Sequence, residues 1–293
     1  MLDLRHARSL VAVIECGSFH EASRRLRCSQ PTVSQHVRKI EEELQTRLVI
    51  RDRQHCRPTP EGAVFLPYAR SLLKLAGRAR AAVKDRTLTI GASSNIGIYL
   101  LQPHVKAFQG NGGAGTRVDL WIGANPDVAE KLADHEIDVA VMEWWDGRPG
   151  FTTTLWRREP LVVIVPPDHA WASLCAVPKE LLLETPLIGG ERGTGTGRAL
   201  REVFGEQADA LQVSLQLGST EAVKHAVEAG LGVSVVLESA IVDEVRAGSL
   251  HAVPLADAAL GKDLLVIQRD DQLASAPAAH FAAHLLREHA QGK

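Results

Sequence analysis

The sequence has little cysteine. Four residues in 293 (Cys16, Cys28, Cys56 and Cys175) include no CxxC pair. That argues against a disulfide frame or a cysteine zinc site and for reduced thiols in a reducing compartment. Long apolar runs are also missing: none approaches the roughly 18 residues that a membrane span needs. The opening stretch MLDLRHARSL lacks the apolar core of a signal peptide. These absences predict a cytoplasmic protein with no membrane partner. Catalytic signatures are lacking too. HEIDVAV, from His135, has no second histidine to complete HExxH, and the twelve histidines show no metal-ligand spacing. The GTGTG run is neither a framed GxGxxG nor a P-loop, which needs Gly-Lys-Ser/Thr. The expectation is no enzyme, no metal and no cofactor.

What is present describes an ordinary globular chain, with 45% apolar and 23% charged residues. Its length predicts about two domains. The formal net charge of −2 conceals a split. Residues 1–86 carry 17 Lys and Arg against 9 Asp and Glu, a net of +8, and the remainder carries 16 against 26, a net of −10. A basic head on an acidic body suits a protein that holds nucleic acid at one end only.

The head centres on SFHEASRRLRCSQPTVSQHVRKIEEEL, Ser18 to Leu44. A first helix carries Leu4, Leu10, Val11, Val13 and Ile14 and stops near Cys16-Gly17. A second runs from about Phe19 to Leu26, with a turn at Arg27-Cys28. Ser29 caps a third helix, and Pro31 sits in its first turn, where a missing N–H costs nothing. Val33, Val37, Ile40 and Leu44 bury one face of that helix. Gln30, Thr32, Ser34, Gln35 and Arg38 occupy the other. Amide and hydroxyl side chains suit base edges in a major groove, and Arg38 and Lys39 suit phosphate. A capped core helix with a solvated face would show the same pattern, but the next segment adds to it. Leu48-Val49-Ile50 reads as a short strand, and Arg51, Arg53 and Arg57 then form a basic wing.

ASRRLRCSQPTVSQHVRKIEEEL followed by RLVIRDRQHCRPTPEG resembles the N-terminal signature of the LysR-type transcriptional regulators. The resemblance implies a winged helix-turn-helix whose base-side contacts are Gln30, Pro31, Ser34 and Gln35. Gln35 stands where many members have Arg, which changes a guanine-favouring contact to an adenine-favouring or weaker one.

Residues 61–86 read as a linker helix. Phe65, Leu72 and Ala79, and Ala69, Ala76 and Val83, recur at sevens and make a sticky stripe. A long lone helix is marginal unless that stripe is paired, so a dimer helix is expected, the alternative being a helix folded onto its own head.

From Leu88 the periodicity changes. Strands are predicted at 88–92, 117–123, 137–143, 161–166, 211–217, 232–237 and 264–268, with helices near 97–109, 126–135, 197–206, 220–229 and 239–247. Alternation of this kind marks parallel α/β layers. The number of strands predicts two lobes, 87–161 with 268–293 and 162–267, crossing at LVVIVP and LLVIQ. A last amphipathic helix should return to the first lobe. The layout resembles the effector domain of LysR-type proteins, which has a periplasmic-binding-protein-like fold.

Ligands in such sheets sit beyond strand ends, at helix N-termini. The candidates are Ser93, Ser94, Asn95 and Asn125 in the first lobe and Thr194, Gly195, Thr196, Arg198 and Thr220 in the second. Trp144 and Trp145 could wall the cleft. Hydroxyl- and amide-bearing helix starts point to a small anion such as a carboxylate, phosphate or sulfur oxyanion. The expected architecture is therefore a winged helix-turn-helix at 1–60, a linker (dimerisation) helix at 61–86 and an effector-binding domain at 87–293. The expected partners are double-stranded DNA, a small-molecule effector, a second copy in a homodimer or homotetramer, and RNA polymerase. The competing reading is a solute-binding protein or enzyme with an accessory head.

Overall fold

The computed structural model describes residues 2–51, 55–85, 87–111, 115–190, 194–256, 258–274 and 276–291. Arg53 and residues 191–193 of the glycine-rich loop lie outside them. The chain divides into two compact units, Met1–Lys84 and Asp85–Lys293. No described helix is long and apolar enough to cross a membrane.

The first unit holds α1 (Leu4–Cys16), α2 (Phe19–Leu26), α3 (Gln30–Leu44), β1 (Val49–Arg51), β2 (Cys56–Pro58) and α4 (Pro60–Asp85). Local chemistry sets each boundary. Gly17, at φ 66°, ends α1 in the left-handed region that glycine enters without steric cost. The Ser18 Oγ caps α2 by accepting from the amides of His20 and Glu21. The Ser29 Oγ accepts from the Thr32 amide and caps α3. Leu10, Val13, Ala22, Val33, Val37 and Ile40 are buried together where the three helices meet. β1 and β2 pair antiparallel, with Val49 opposite Pro58 and Arg51 opposite Cys56.

Helix α4 does not carry one uniform stripe. Ala69 is fully buried in the head's core, and Phe65, Leu66 and Leu73 pack against it. Val64, Tyr68, Leu72, Leu75 and Val83 stay exposed. Phe65 and Ala69, expected in the pairing stripe, therefore serve the head instead. Leu72 and Val83 of that stripe stay open, with Val64, Tyr68 and Leu75 exposed as well.

The second unit contains β3 (Thr87–Ser93), α5 (Ser94–Tyr99), α6 (Leu101–Asn111), β4 (Arg117–Gly123), α7 (Asn125–Ala133), β5 (Val139–Met142) and β6 (Phe151–Val165). It continues through α8 (Lys179–Glu184), β7 (Leu187–Gly189), α9 (Thr196–Phe204), β8 (Val213–Gln216), α10 (Thr220–Glu228), β9 (Ser234–Leu237), α11 (Val242–Ala247), β10 (His251–Val253), β11 (Gly261–Arg269) and α12 (Pro277–Gln291). β3 pairs parallel with β4 and β5. β11 pairs antiparallel with β5 and with the first part of β6. The second part of β6 pairs antiparallel with β9 and β10.

Thus β6 passes from one lobe to the other within a single 15-residue strand. LVVIV is its last third. The periodicity did not show the first ten residues, because FTTTLWRREP carries exposed polar residues beside β11. The sheet is mixed rather than wholly parallel, since both crossing strands run against their neighbours. Leu265–Ile267 lie opposite β5, so the chain is already back in the first lobe before residue 268 and the crossing falls near Gly261. The helix expected at 97–109 breaks at Leu100 into α5 and α6, with Pro103 in the first turn of α6, where its missing N–H is tolerated.

Each lobe is built on apolar cores. Ile90, Val139, Trp156, Val266 and Phe281 meet in the first lobe, which places α12 there. Leu161, Val163, Trp171, Leu182, Val235 and Phe204 meet in the second.

Candidate DNA-reading head and effector cleft

On α3, the faces separate as the spacing predicts. Val33, Val37 and Ile40 are fully buried, while Gln30, Pro31, Gln35 and Arg38 are exposed and Ser34 is half-buried. Several of the polar candidates are held by neighbours. The Thr32 hydroxyl lies 2.7 Å from the Ser29 Oγ of the cap. The Arg38 Nε donates to the Glu42 carboxylate at 2.7 Å, one turn along. The Arg51 guanidinium lies over the Phe19 ring, 4.2 Å from its centroid, and its Nη2 donates to the Ser34 Oγ at 3.1 Å. Arg51 thus braces the wing against the helix start. Arg57 is exposed on β2.

Two positioning groups had no sequence signal. Glu41 is buried, and its Oε1 accepts from the amides of Leu48 (2.8 Å) and Val49 (3.2 Å), fixing the wing to the end of α3. On the far side of α3 the Ser9 hydroxyl lies 2.8 Å from His36 Nδ1, and the His6 and His36 rings meet at 4.9 Å. Burial lowers the His36 pKa below its ordinary value.

In the second unit, two first-lobe candidates face each other rather than the cleft. The Ser93 Oγ donates to Asn125 Oδ1 at 2.6 Å, and the Asn125 Nδ2 donates to the Trp144 carbonyl at 2.9 Å. Both oxygens receive the backbone amide of Glu143, at 3.3 and 3.1 Å. They form a mount for residue 143, just past the end of β5. Ser94 begins α5 and is half-buried.

Asn95 reaches further. Its Nδ2 donates to Glu143 Oε1 at 3.1 Å, and its Oδ1 accepts from the Thr220 hydroxyl at 2.7 Å, joining the two lobes. A second link runs from the Tyr99 hydroxyl to Glu221 Oε1 at 2.6 Å. A third is the Gly195 amide donating to Glu143 Oε2 at 2.5 Å. The same oxygen accepts from Lys262 Nζ at 2.9 Å, and both side chains are almost wholly buried, at 1% and 2% exposure. Burial lowers the Lys262 pKa, against the opposing pull of the Glu143 carboxylate.

Beside this bridge lies a cavity of about 400 Å³. Asn95, Thr194, Thr196 and Thr220 form its polar side with Gln216 and Arg201, and Leu187, Ile188, Val213 and Val223 form the apolar side. Gly195, which precedes α9, gives it no side-chain cap, and Thr196 and Gly197 of its first turn line that space. Arg198 points elsewhere. It lies over the Trp144 ring at 5.0 Å and lines a second cavity, of about 250 Å³, with Glu143 and Lys262. Of the sequence candidates, then, Asn95, Thr194, Thr196 and Thr220 share the larger cavity. Gly195 holds Glu143, Ser93 and Asn125 stand behind it, and Arg198 belongs to the other side.

Sequence reasoning missed Glu143, Lys262, Gln216 and Arg201. Glu143 ends the stretch IDVAVME, where a strand terminus is itself a signal. Lys262 has no local signal. Among the described residues, no group of three or more His, Cys, Asp or Glu could hold a metal.

A winged helix-turn-helix with an exposed amide-bearing helix, joined in sequence to a two-lobed body with a polar cavity, defines a DNA-binding regulator with a ligand-binding body. Residues 4–63 match the family model for the bacterial regulatory helix-turn-helix protein, lysR family, and residues 81–290 match that for the LysR substrate binding domain. The putative HTH-type transcriptional regulator protein PtxE of Stutzerimonas stutzeri is 46% identical over 196 residues, covering 67% of this chain and 100% of that protein. Full-length CbnR complexed with its target DNA superposes with a TM-score of 0.72 at 22% identity, over 98% of this chain and 99% of CbnR. The Synechocystis PCC6803 CcmR regulatory domain in complex with 2-PG superposes with a TM-score of 0.62 at 22% identity, over 69% of this chain and 97% of that domain. The chain belongs to the LysR family of DNA-binding transcriptional regulators. Its body is that family's substrate-binding domain.

Proposed function

We propose that a small anion binds the 400 Å³ cavity and that its binding changes how the head holds DNA. The observation that carries this reading is the convergence of Asn95, Thr194, Thr196 and Thr220 on one cavity at the uncapped start of α9. Hydroxyls, a side-chain amide and the positive end of a helix carry no fixed negative charge, the chemistry that suits carboxylate or phosphoryl oxygens. The ligand in the CcmR complex, 2-PG, makes this class the first to test. Binding shifts DNA affinity only if the ligand distinguishes two states of the body.

Thermal-shift screening of the full chain against inorganic phosphate, sulfate, small carboxylates and 2-PG tests the reading. At least one anion should raise the melting temperature, and Thr196→Val should remove most of that rise while leaving ligand-free DNA binding intact. An undiminished response in Thr196→Val would take that residue out of the site.

The protein works in this reading as a homodimer or a pair of dimers in the cytoplasm, beside its DNA. The support is the exposed row Val64, Tyr68, Leu72 and Leu75 on α4, which water disfavours on a long helix. Leu72→Glu should lower the mass of the full chain in solution by half or more in light scattering. An unchanged mass would place the subunit interface elsewhere. RNA polymerase as a partner rests on the family resemblance alone.

A further inference from the structure

We propose that the Glu143 carboxylate is a built-in anion that occupies the position between the lobes and holds the cleft closed before any effector arrives. This rests on reading the second unit as an effector cleft, and it does not depend on which effector that cleft takes.

The two carboxylate oxygens collect donors from both sides. Oε1 accepts from Asn95 Nδ2 of the first lobe. Oε2 accepts from the Gly195 amide of the second and from Lys262 Nζ at the returning crossing. A cation, a side-chain amide and a backbone amide at a helix start are the set that a bound carboxylate or phosphate would seek. Here a side chain of the same chain fills it. The mount behind it is rigid, since Ser93 and Asn125 both hold the Glu143 amide and hydrogen-bond to each other. The carboxylate therefore has a defined place to sit.

The bridge continues into the cavity. Asn95 offers one end of its amide to Glu143 and the other to Thr220, and both Asn95 and Thr220 line the cavity. A ligand that takes the donors of Asn95 or Thr220 must draw them from this chain of hydrogen bonds. The signal is then a competition between an external anion and an internal one, rather than the closing of an open cleft.

The test uses the full chain and needs no knowledge of the effector. Glu143→Ala leaves a carboxylate-sized space beside Lys262. Hydrogen exchange in the first turns of α9 and α10 should quicken at least tenfold, while the amides of β3 keep their wild-type protection. Acetate or formate should restore the slow exchange, and acetamide and chloride should not. Should Glu143→Ala fail to fold, the pair Glu143→Gln with Lys262→Met removes both charges and keeps the volume. It should show the same quickened exchange, without rescue by acetate. The proposal is overturned if exchange at α9 and α10 is unchanged in the folded variant, if it quickens equally throughout β3, or if acetamide rescues as well as acetate.

Discussion

Lys262→Met should cost the body about 3–5 kcal/mol of stability. Counting backbone as well as side chain, Lys262 is 3% exposed and Glu143 6%. Methionine matches the length of the lysine stem, so little cavity is made and the loss isolates the charge. The Glu143 carboxylate would keep its bonds to Asn95 and Gly195 but lose its counter-ion at a position where both side chains are almost wholly buried. Leaving one member of a buried pair uncompensated is far more costly than removing both. Glu143→Gln together with Lys262→Met should therefore recover most of the loss. Urea unfolding of the full chain, followed through the fluorescence of Trp144 and its neighbours, would measure both variants. A loss under about 1 kcal/mol, as for an exposed pair, would show that water reaches the site.

Gly62→Ala should disable the head. Gly62 lies in the first turn of α4, where an added Cβ would fall 2.0 Å from the carbonyl oxygen of Leu48 and 2.9 Å from its carbon. The obstacle is backbone, not a side chain that could rotate away. Leu48 is pinned on both sides: its amide is held by Glu41, and its carbonyl accepts from the Thr59 amide at 3.0 Å. Overpacking costs about 1–3 kcal/mol where side chains can yield, and this site belongs at or above the top of that range. DNA affinity should fall with stability, because the same clash displaces the wing from α3. Gly77 is the control. Nothing lies within 4 Å of a Cβ there, so Gly77→Ala should stabilise α4 by about 0.5–1 kcal/mol. Circular dichroism melts of the two full-length variants should move in opposite directions. A Gly62→Ala melt like that of the wild type would mean that the wing and α4 are not clamped together.

The head was legible because its determinants are local. Ser18, Ser29 and Pro31 mark helix starts within a few residues, and Val33, Val37 and Ile40 define a buried face by spacing alone. The lobes were legible in number but not in connection. Nothing in FTTTLWRREP announces that it continues LVVIVP as one strand, because its pairing partner, β11, lies about a hundred residues away in the chain. The cleft was legible to the extent that helix starts carry hydroxyls. Sequence alone could not tell Thr196, which lines the cavity, from Ser93, which braces residue 143. That difference depends on which neighbour each hydroxyl meets after folding. Glu143 and Lys262 are the extreme case, 119 residues apart and joined only by the tertiary fold.

Recognition of bases through the exposed face of α3 is the central claim, and Gln35 is its sharpest point. Gln35 is exposed there, and a bidentate base contact is worth about 1–3 kcal/mol of discrimination. The direct measurement is selection of binding sites from randomised duplex DNA by the full chain, its Gln35→Ala variant and its Arg57→Ala variant. Gln35→Ala should change the preferred base at one or two defined positions. Arg57→Ala should recover the wild-type sequence with lower affinity and a salt slope flatter by about 1. An unchanged set of selected sequences for Gln35→Ala, with affinity lost equally on every duplex, would contradict base reading by this helix.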